Sequence, residues 1–218
     1  LIEEKKELDY NDFKKIKYDN SLPNPLSYSW MDINALFDIN PNRYPEISNI
    51  LIQIQKWDRK TDADSYGAGA YAIFYLKLRK YYRQIPEPKI FPKTFLIEAL
   101  KETKKHMLKF FGKEKVKLGE FQKLVRGSKE IPIFGLRDVI TAMSSVPYKK
   151  GKTRVTAGES YIELIKFTKD GPEIESVISY GSSDNPGSPH FDDQMEIYSL
   201  FKTKKMSLKK EKVLLNAK

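Results

Sequence analysis

The chain has 218 residues, 40% of them hydrophobic, no cysteine and a formal net charge of +10. This composition is globular and long enough for one large domain or two small ones. The absence of thiols excludes disulfides, cysteine nucleophiles and cysteine-ligated zinc, and no apolar run approaches the roughly 20 residues of a membrane span. Lysine supplies 32 of the 39 basic residues. Phosphate recognition favours the planar arginine fork, so the charge reads as a solvated surface and not as a nucleic-acid site.

Leu1 is not a start Met, and Leu1–Leu8 reads as a helix already under way, so the expectation is a fragment of a longer polypeptide. Asp9 is placed to cap a helix over Tyr10–Tyr18, with Asp12 three residues on and Phe13 and Ile16 on its apolar face. A polar, proline-containing loop covers Asn20–Ser29. Within Tyr44–Trp57, the residues Ile47, Ile50, Leu51, Ile54 and Trp57 recur at spacings of three and four, which predicts one buried helical stripe. A third helix is predicted over Ser65–Tyr82. Its Gly67-Ala68-Gly69-Ala70 start suits close packing, Ile73, Phe74, Leu76 and Leu78 form its core face, and Pro86 and Pro88 stop it. Pro92 opens a fourth helix carrying Phe95, Leu96, Leu100, Met107, Leu108 and Phe111, and Gly112 ends it.

The pattern changes after Gly112. Phe121–Val125 is a short element ended by Arg126-Gly127, and Ile131–Gly135 reads as irregular. Thr153–Ala157, Tyr161–Phe167 and Ile174–Tyr180 read as strands, with Gly171-Pro172 as a turn. Short helices are expected over Met195–Phe201 and over Ser207–Leu215, with Ser207 as N-cap. Helices followed by strands make an α+β chain, with a helical segment over 1–112 and a β-rich segment over 113–218.

The densest chemistry lies in Tyr180-Gly-Ser-Ser-Asp-Asn-Pro-Gly-Ser-Pro-His-Phe-Asp-Asp-Gln194. Ser188, His190 and Asp192 or Asp193 are the residue types of a hydrolytic triad. Triad members normally converge from different elements, whereas these stand only a few residues apart. The favoured reading is a structural clasp of Ser188, His190, Asp192, Asp193 and Gln194, whose side chains hold backbone N–H groups and cap a helix starting near Phe191. A metal site from Asp184, His190, Asp192 and Asp193 lacks any familiar ligand spacing, and His106 is too distant to join it. Asp58, Asp62 and Asp64 alternate like a calcium loop, but Lys60 interrupts them, so they are expected to cap the helix near Ser65. Trp30, Trp57 and Tyr81-Tyr82 could stack on bases, although aromatics at helical spacing usually belong to a core. Gly151 and Gly158 make no phosphate cradle, and no autonomous active site is visible.

Taken together, several blocks resemble the penicillin acylase family. They are Trp57-Asp58 with Ala63-Asp64-Ser65, Gly119-Glu-Phe-Gln-Lys-Leu-Val-Arg-Gly127 with Ile131-Pro132, Gly158-Glu-Ser-Tyr-Ile162, and above all Tyr180–Gln194. The second and third are most similar to the branch that cleaves acyl-homoserine lactones and lipopeptide side chains. The resemblance implies an N-terminal-nucleophile hydrolase of αββα architecture. Its precursor cuts itself into α and β chains, and a Ser at the new β terminus attacks an amide carbonyl with its own α-amino group as base. A backbone N–H and an Asn side chain form the oxyanion hole. By order of blocks, this chain corresponds to the C-terminal part of the β chain, with the nucleophile, the oxyanion groups and the α chain upstream. It would be inert alone, and no catalytic residue is assigned within it. Ser182 stands where the family usually has Gln.

The resemblance further implies an N-acylated small-molecule substrate, with acyl-homoserine lactones first and β-lactam amides second, and a periplasmic or secreted location. It implies no cofactor for catalysis; a structural calcium can accompany the family, with no ligand identifiable here. The expected partners are the remainder of the β chain and the α chain, without nucleic acid or membrane. The alternative from a different class is a basic, non-enzymatic module for nucleic acid or an anionic surface.

Overall fold

A computed structural model describes residues 7–23, 26 and 31–216. The helix expected over Leu1–Leu8 falls mostly outside these residues, as do Trp30 and part of the Asn20–Ser29 loop. Asp9 Oδ1 accepts the Asp12 amide at 2.7 Å, and this cap opens α1 (Tyr10–Lys17). Phe13, expected on an apolar face, is instead 47% exposed. Tyr10 and Tyr18 are the residues of this region that pack inward, against strands far along the chain.

The apolar stripe from Ile47 to Trp57 is buried as its spacing requires, although α2 itself spans only Ser48–Gln55. Trp57 is anchored by its indole Nε1, which donates to the Lys60 carbonyl at 2.8 Å. In α3 (Tyr66–Leu78) the cap is Ser65, whose Oγ accepts the Ala68 amide at 3.1 Å. The acidic residues before it do not cap the helix. Asp58 accepts the Lys60 amide, and Asp62 accepts from Asn20 Nδ2 at 2.6 Å, so they organise the preceding loop. The α-helix ends at Leu78 and tightens into a 3-10 turn over Arg79–Gln84, short of the expected Tyr82. In α4 (Lys93–Phe111), Leu96, Leu100 and Met107 are buried, but Leu108 faces solvent, and Gly112 ends the helix in a left-handed conformation.

The first core gathers α2, α3 and α4 with Val116, Leu118 and Phe121. Its tightest approach is at Gly69, where a Cβ would sit 2.0 Å from the Val116 carbonyl oxygen. Backbone bonds fix the same joint: the Leu118 amide donates to Ser65 O at 3.0 Å, Gly119 to Ala63 O at 2.6 Å, and Gly135 to Thr61 O at 2.9 Å. From here the chain turns through α5 (Leu118–Phe121) into β1 (Gln122–Arg126).

β1 pairs with β2 (Lys129–Pro132) across a Gly127-Ser128 turn, so part of the stretch expected to be irregular is a strand. With β3 (Met143–Pro147) and β4 (Thr153–Gly158) they form a mixed sheet of order β2-β1-β4-β3, in which β1 and β4 run parallel. β5 (Tyr161–Thr168), β6 (Gly171–Ile178) and β7 (Lys204–Met206) form an antiparallel sheet in sequence order. The alternation along β5 buries Ile162 and Leu164 and leaves Tyr161, Ile165 and Phe167 outside. α6 (Met195–Ser199) and α7 (Lys210–Asn216) are shorter than expected, and β7 lies between them. Ser207 Oγ accepts the Lys209 amide ahead of α7 and does not cap it. The second core lies between the two sheets, with Leu124, Ile133, Phe134 and Met143 on one side, Ile162, Leu164 and Val177 on the other, and Met195 and Tyr198 of α6 joining them. The chain is thus α+β.

His106 on α4 is buried beside the rings of Phe110 and Phe121, with Nε2 2.7 Å from the Gly151 carbonyl oxygen. Burial, followed by the nearby Lys77 charge, lowers its pKa from the ordinary value. The unfolded chain therefore binds the extra proton first as the medium is acidified. Stability should be full above about pH 6.5 and decline as pH falls toward the folded value, and urea titrations of His106→Gln should lose that part of the slope. Gly69→Ala is a second test. In an ordinary helix interior this change gains up to about 1 kcal/mol; here the Cβ meets backbone, and a loss of about 2–3 kcal/mol is expected in urea unfolding.

Candidate functional site

The stretch 180–194 begins where β6 ends and stops where α6 begins, so its ends are fixed by the second sheet. Gln194 is buried, and its Oε1 accepts the Ile178 amide at 3.2 Å while its own amide donates to the Tyr180 carbonyl at 2.8 Å. Gln194 is also the N-cap position of α6, which starts at Met195 as its pattern predicts and not near Phe191, and has no side-chain cap bond. Within the loop, Ser183 N donates to His190 O at 3.0 Å, and a Cβ on Gly181 would lie 2.1 Å from that same oxygen. Only glycine allows the two arms of the loop to approach this closely.

The triad residue types point in other directions. Ser188 Oγ accepts the His190 backbone amide at 3.1 Å. His190 Nδ1 lies 2.9 Å from Asp193 Oδ2, and both side chains are at least one-third exposed. Among the described residues, no hydroxyl is hydrogen-bonded to His190 Nε2, the nitrogen a nucleophile would need. Asp192 accepts from Lys129 Nζ at 3.4 Å, and Asp184 pairs with Arg126. Among the described residues, no three His, Asp or Glu side chains could hold a metal ion.

Arg126, which the sequence marks only as the end of a short element, joins the loop to the first sheet. Its guanidinium lies over the rings of Phe191, at 4.5 Å, and Tyr180, at 5.1 Å. It also donates to the Ser183 carbonyl at 3.2 Å and to Asp184 at 3.1 Å. An arginine held between two aromatic faces while donating to backbone joins surfaces that lysine could not join in the same way. Together with Lys129, it ties the β1–β2 hairpin of the first sheet to the loop that leaves the second. The signal available in the sequence was Arg126 directly before the turn glycine, with aromatic residues at both ends of the distant loop.

A family model described as penicillin amidase matches residues 1–214. The chain belongs to the penicillin amidase family. Relatives include the acyl-homoserine lactone acylase PvdQ of Pseudomonas syringae pv. syringae, 36% identical over 86 residues. The corresponding acylase of Pseudomonas fluorescens is 32% identical over 89 residues, and the aculeacin-A acylase of Actinoplanes utahensis is 31% identical over 88. These matches cover 38–39% of this chain and 11% of each relative. A thermostable penicillin G acylase from Alcaligenes faecalis superposes with a TM-score of 0.37 at 15% identity, over 87% of this chain and 46% of that one. Among the described residues, no helix of this penicillin amidase family chain is long and apolar enough to cross a membrane.

The geometry ranks the loop substitutions. Gln194→Ala strands the Ile178 amide and should cost about 1–3 kcal/mol. His190→Ala removes a solvent-screened pair and should cost under about 1 kcal/mol. Thermal unfolding of the two variants tests the order.

Proposed function

We propose that this chain is the C-terminal portion of the β chain of an amidase that removes the acyl group from N-acylated small molecules. The observation that carries the reading is the penicillin amidase match over residues 1–214, together with relatives named as acylases. Acyl-homoserine lactones are the first substrate class and β-lactam amides the second. The nucleophile is a Ser at the β-chain N-terminus, outside these 218 residues, and the chain by itself is catalytically inert. It supplies a helical scaffold over 1–112 and strands over 113–218 that complete an αββα architecture in the periplasm or outside the cell. Its partners are the rest of the β chain and the α chain. The outward apolar face of β5, with Tyr161 53% and Phe167 84% exposed, supports such packing.

In this reading Ser188, His190, Asp192, Asp193 and Gln194 form a structural clasp. Ser188 and Gln194 satisfy backbone amides, Asp192 meets Lys129, and His190 with Asp193 orders the turn between them. Their chemistry is positional: each bond shortens the set of conformations open to a loop rich in Gly and Pro.

Two measurements test the proposal. The 218-residue chain should hydrolyse a chromogenic acyl amide no faster than buffer, and turnover above background overturns the assignment of the nucleophile upstream. In the full-length enzyme, His190→Ala should lower the unfolding temperature while leaving kcat near the parent value. A variant that folds and processes normally yet loses turnover would place His190 in the chemistry. Steeply salt-dependent binding of the chain to duplex DNA would favour the basic binding module instead.

A further inference from the structure

Seven of the 39 basic residues are arginine, and three of these, Arg79, Arg83 and Arg137, line one surface groove of about 610 Å³ beside the 3-10 turn that ends α3. Among the described residues none of the three has a carboxylate within ion-pairing distance. Arg137 hydrogen-bonds to the Tyr75 side chain, and the Arg79 charge also acts on that phenol. Such a cluster in a lysine-dominated chain differs from a solvated basic face, because arginine presents a planar donor pair suited to a carboxylate.

The groove leads to a smaller cavity of about 60 Å³ that shares Tyr75, Leu76, Arg79 and Arg137 with it. One water needs about 10–15 Å³, so the cavity has room for several heavy atoms. Leu76, Leu136 and Met143 supply apolar wall, and Thr153 is among the lining residues. Thr153 is 3% exposed, and its Oγ1 is buried without a hydrogen-bond partner. Two neighbouring polar groups of the wall are engaged: Gln122 Nε2 donates to the Phe134 and Gly135 carbonyls, and Ser145 Oγ donates to Gln122 Oε1. A buried hydroxyl left unsatisfied costs free energy unless something enters to meet it. Asp138 also lines the cavity and opposes an anion, but it stands against the three arginines.

We propose that this cavity and its arginine mouth form a binding site for a short hydroxycarboxylate. The carboxylate sits on Arg79 and Arg137, the carbon stem lies against Leu76, Leu136 and Met143, and the ligand hydroxyl meets Thr153 Oγ1. A small apolar recess with a few convergent polar groups is the usual form of such a site. The site lies on α3 and the first sheet, away from the 180–194 loop, and requires no residue of that loop.

The test is titration of the 218-residue chain with 3-hydroxybutyrate, butyrate, butylamine and inorganic phosphate, followed by amide chemical shifts and calorimetry. The expected result is saturable binding of both acids, with 3-hydroxybutyrate favoured about fivefold and no saturation by butylamine. Arg137→Ala should weaken both acids about tenfold. Thr153→Val, which keeps the volume, should abolish the preference for the hydroxy acid and leave butyrate unchanged. Arg79→Ala, on the exposed side of the turn, provides the same charge test if Arg137→Ala fails to fold by circular dichroism. The proposal is overturned if neither acid saturates, if phosphate binds as tightly as 3-hydroxybutyrate, or if Thr153→Val keeps the preference.

Discussion

The structure depends on one close backbone approach, at the start of α3. Gly69 leaves the space through which Val116–Leu118 passes, and the amides of Leu118, Gly119 and Gly135 bond to carbonyls at Ser65, Ala63 and Thr61. Those bonds decide where α5 turns into β1, and β1 is the strand to which β2 and β4 both pair. The helical core and the first sheet thus share a hydrogen-bonded seam and not merely a packed surface. A side chain at position 69 would push the Val116–Leu118 backbone away, because a carbonyl cannot rotate aside as a side chain can.

The second tie works through side chains. Arg126 and Lys129 leave the first sheet at its hairpin and meet the loop that leaves β6. Polar residues accumulate in that loop because a chain with little regular structure must satisfy its own amides, and Ser, Asp and Gln do so over short distances. The same residue types serve hydrolytic chemistry elsewhere, which is why composition alone makes the segment resemble an active site. Ser188 Oγ turns to a backbone amide and His190 Nδ1 to Asp193, not to each other.

The sequence was most legible where one face of an element is buried. The stripe from Ile47 to Trp57 and the alternation of β5 follow from spacing, because burial enforces the period, while the α1 cap at Asp9 follows from local side-chain chemistry. It was least legible where partners are distant or small. β3 carries two adjacent serines and β7 only three exposed residues, so neither shows an alternating apolar pattern. Phe13 and Leu108 fit helical stripes, yet the neighbours that would bury them are not on that side of the fold. Arg126 could not be assigned because both of its aromatic partners lie more than fifty residues away. The Thr153 hydroxyl gave no signal, since only the packing around it shows that nothing meets it.

α1 carries a different consequence. It buries none of its own residues fully, and it is held by Tyr10 and Lys14 on Glu175 and by Lys17 on Glu159. These contacts span 142 to 165 residues of sequence. Closing so long a loop is entropically costly until the second sheet already exists to receive the helix. Docking of α1 therefore depends on the second sheet, while the sheet does not depend on α1 for its own strand pairing. In hydrogen exchange this helix should open before the sheet that receives it, because it contributes no fully buried residue of its own.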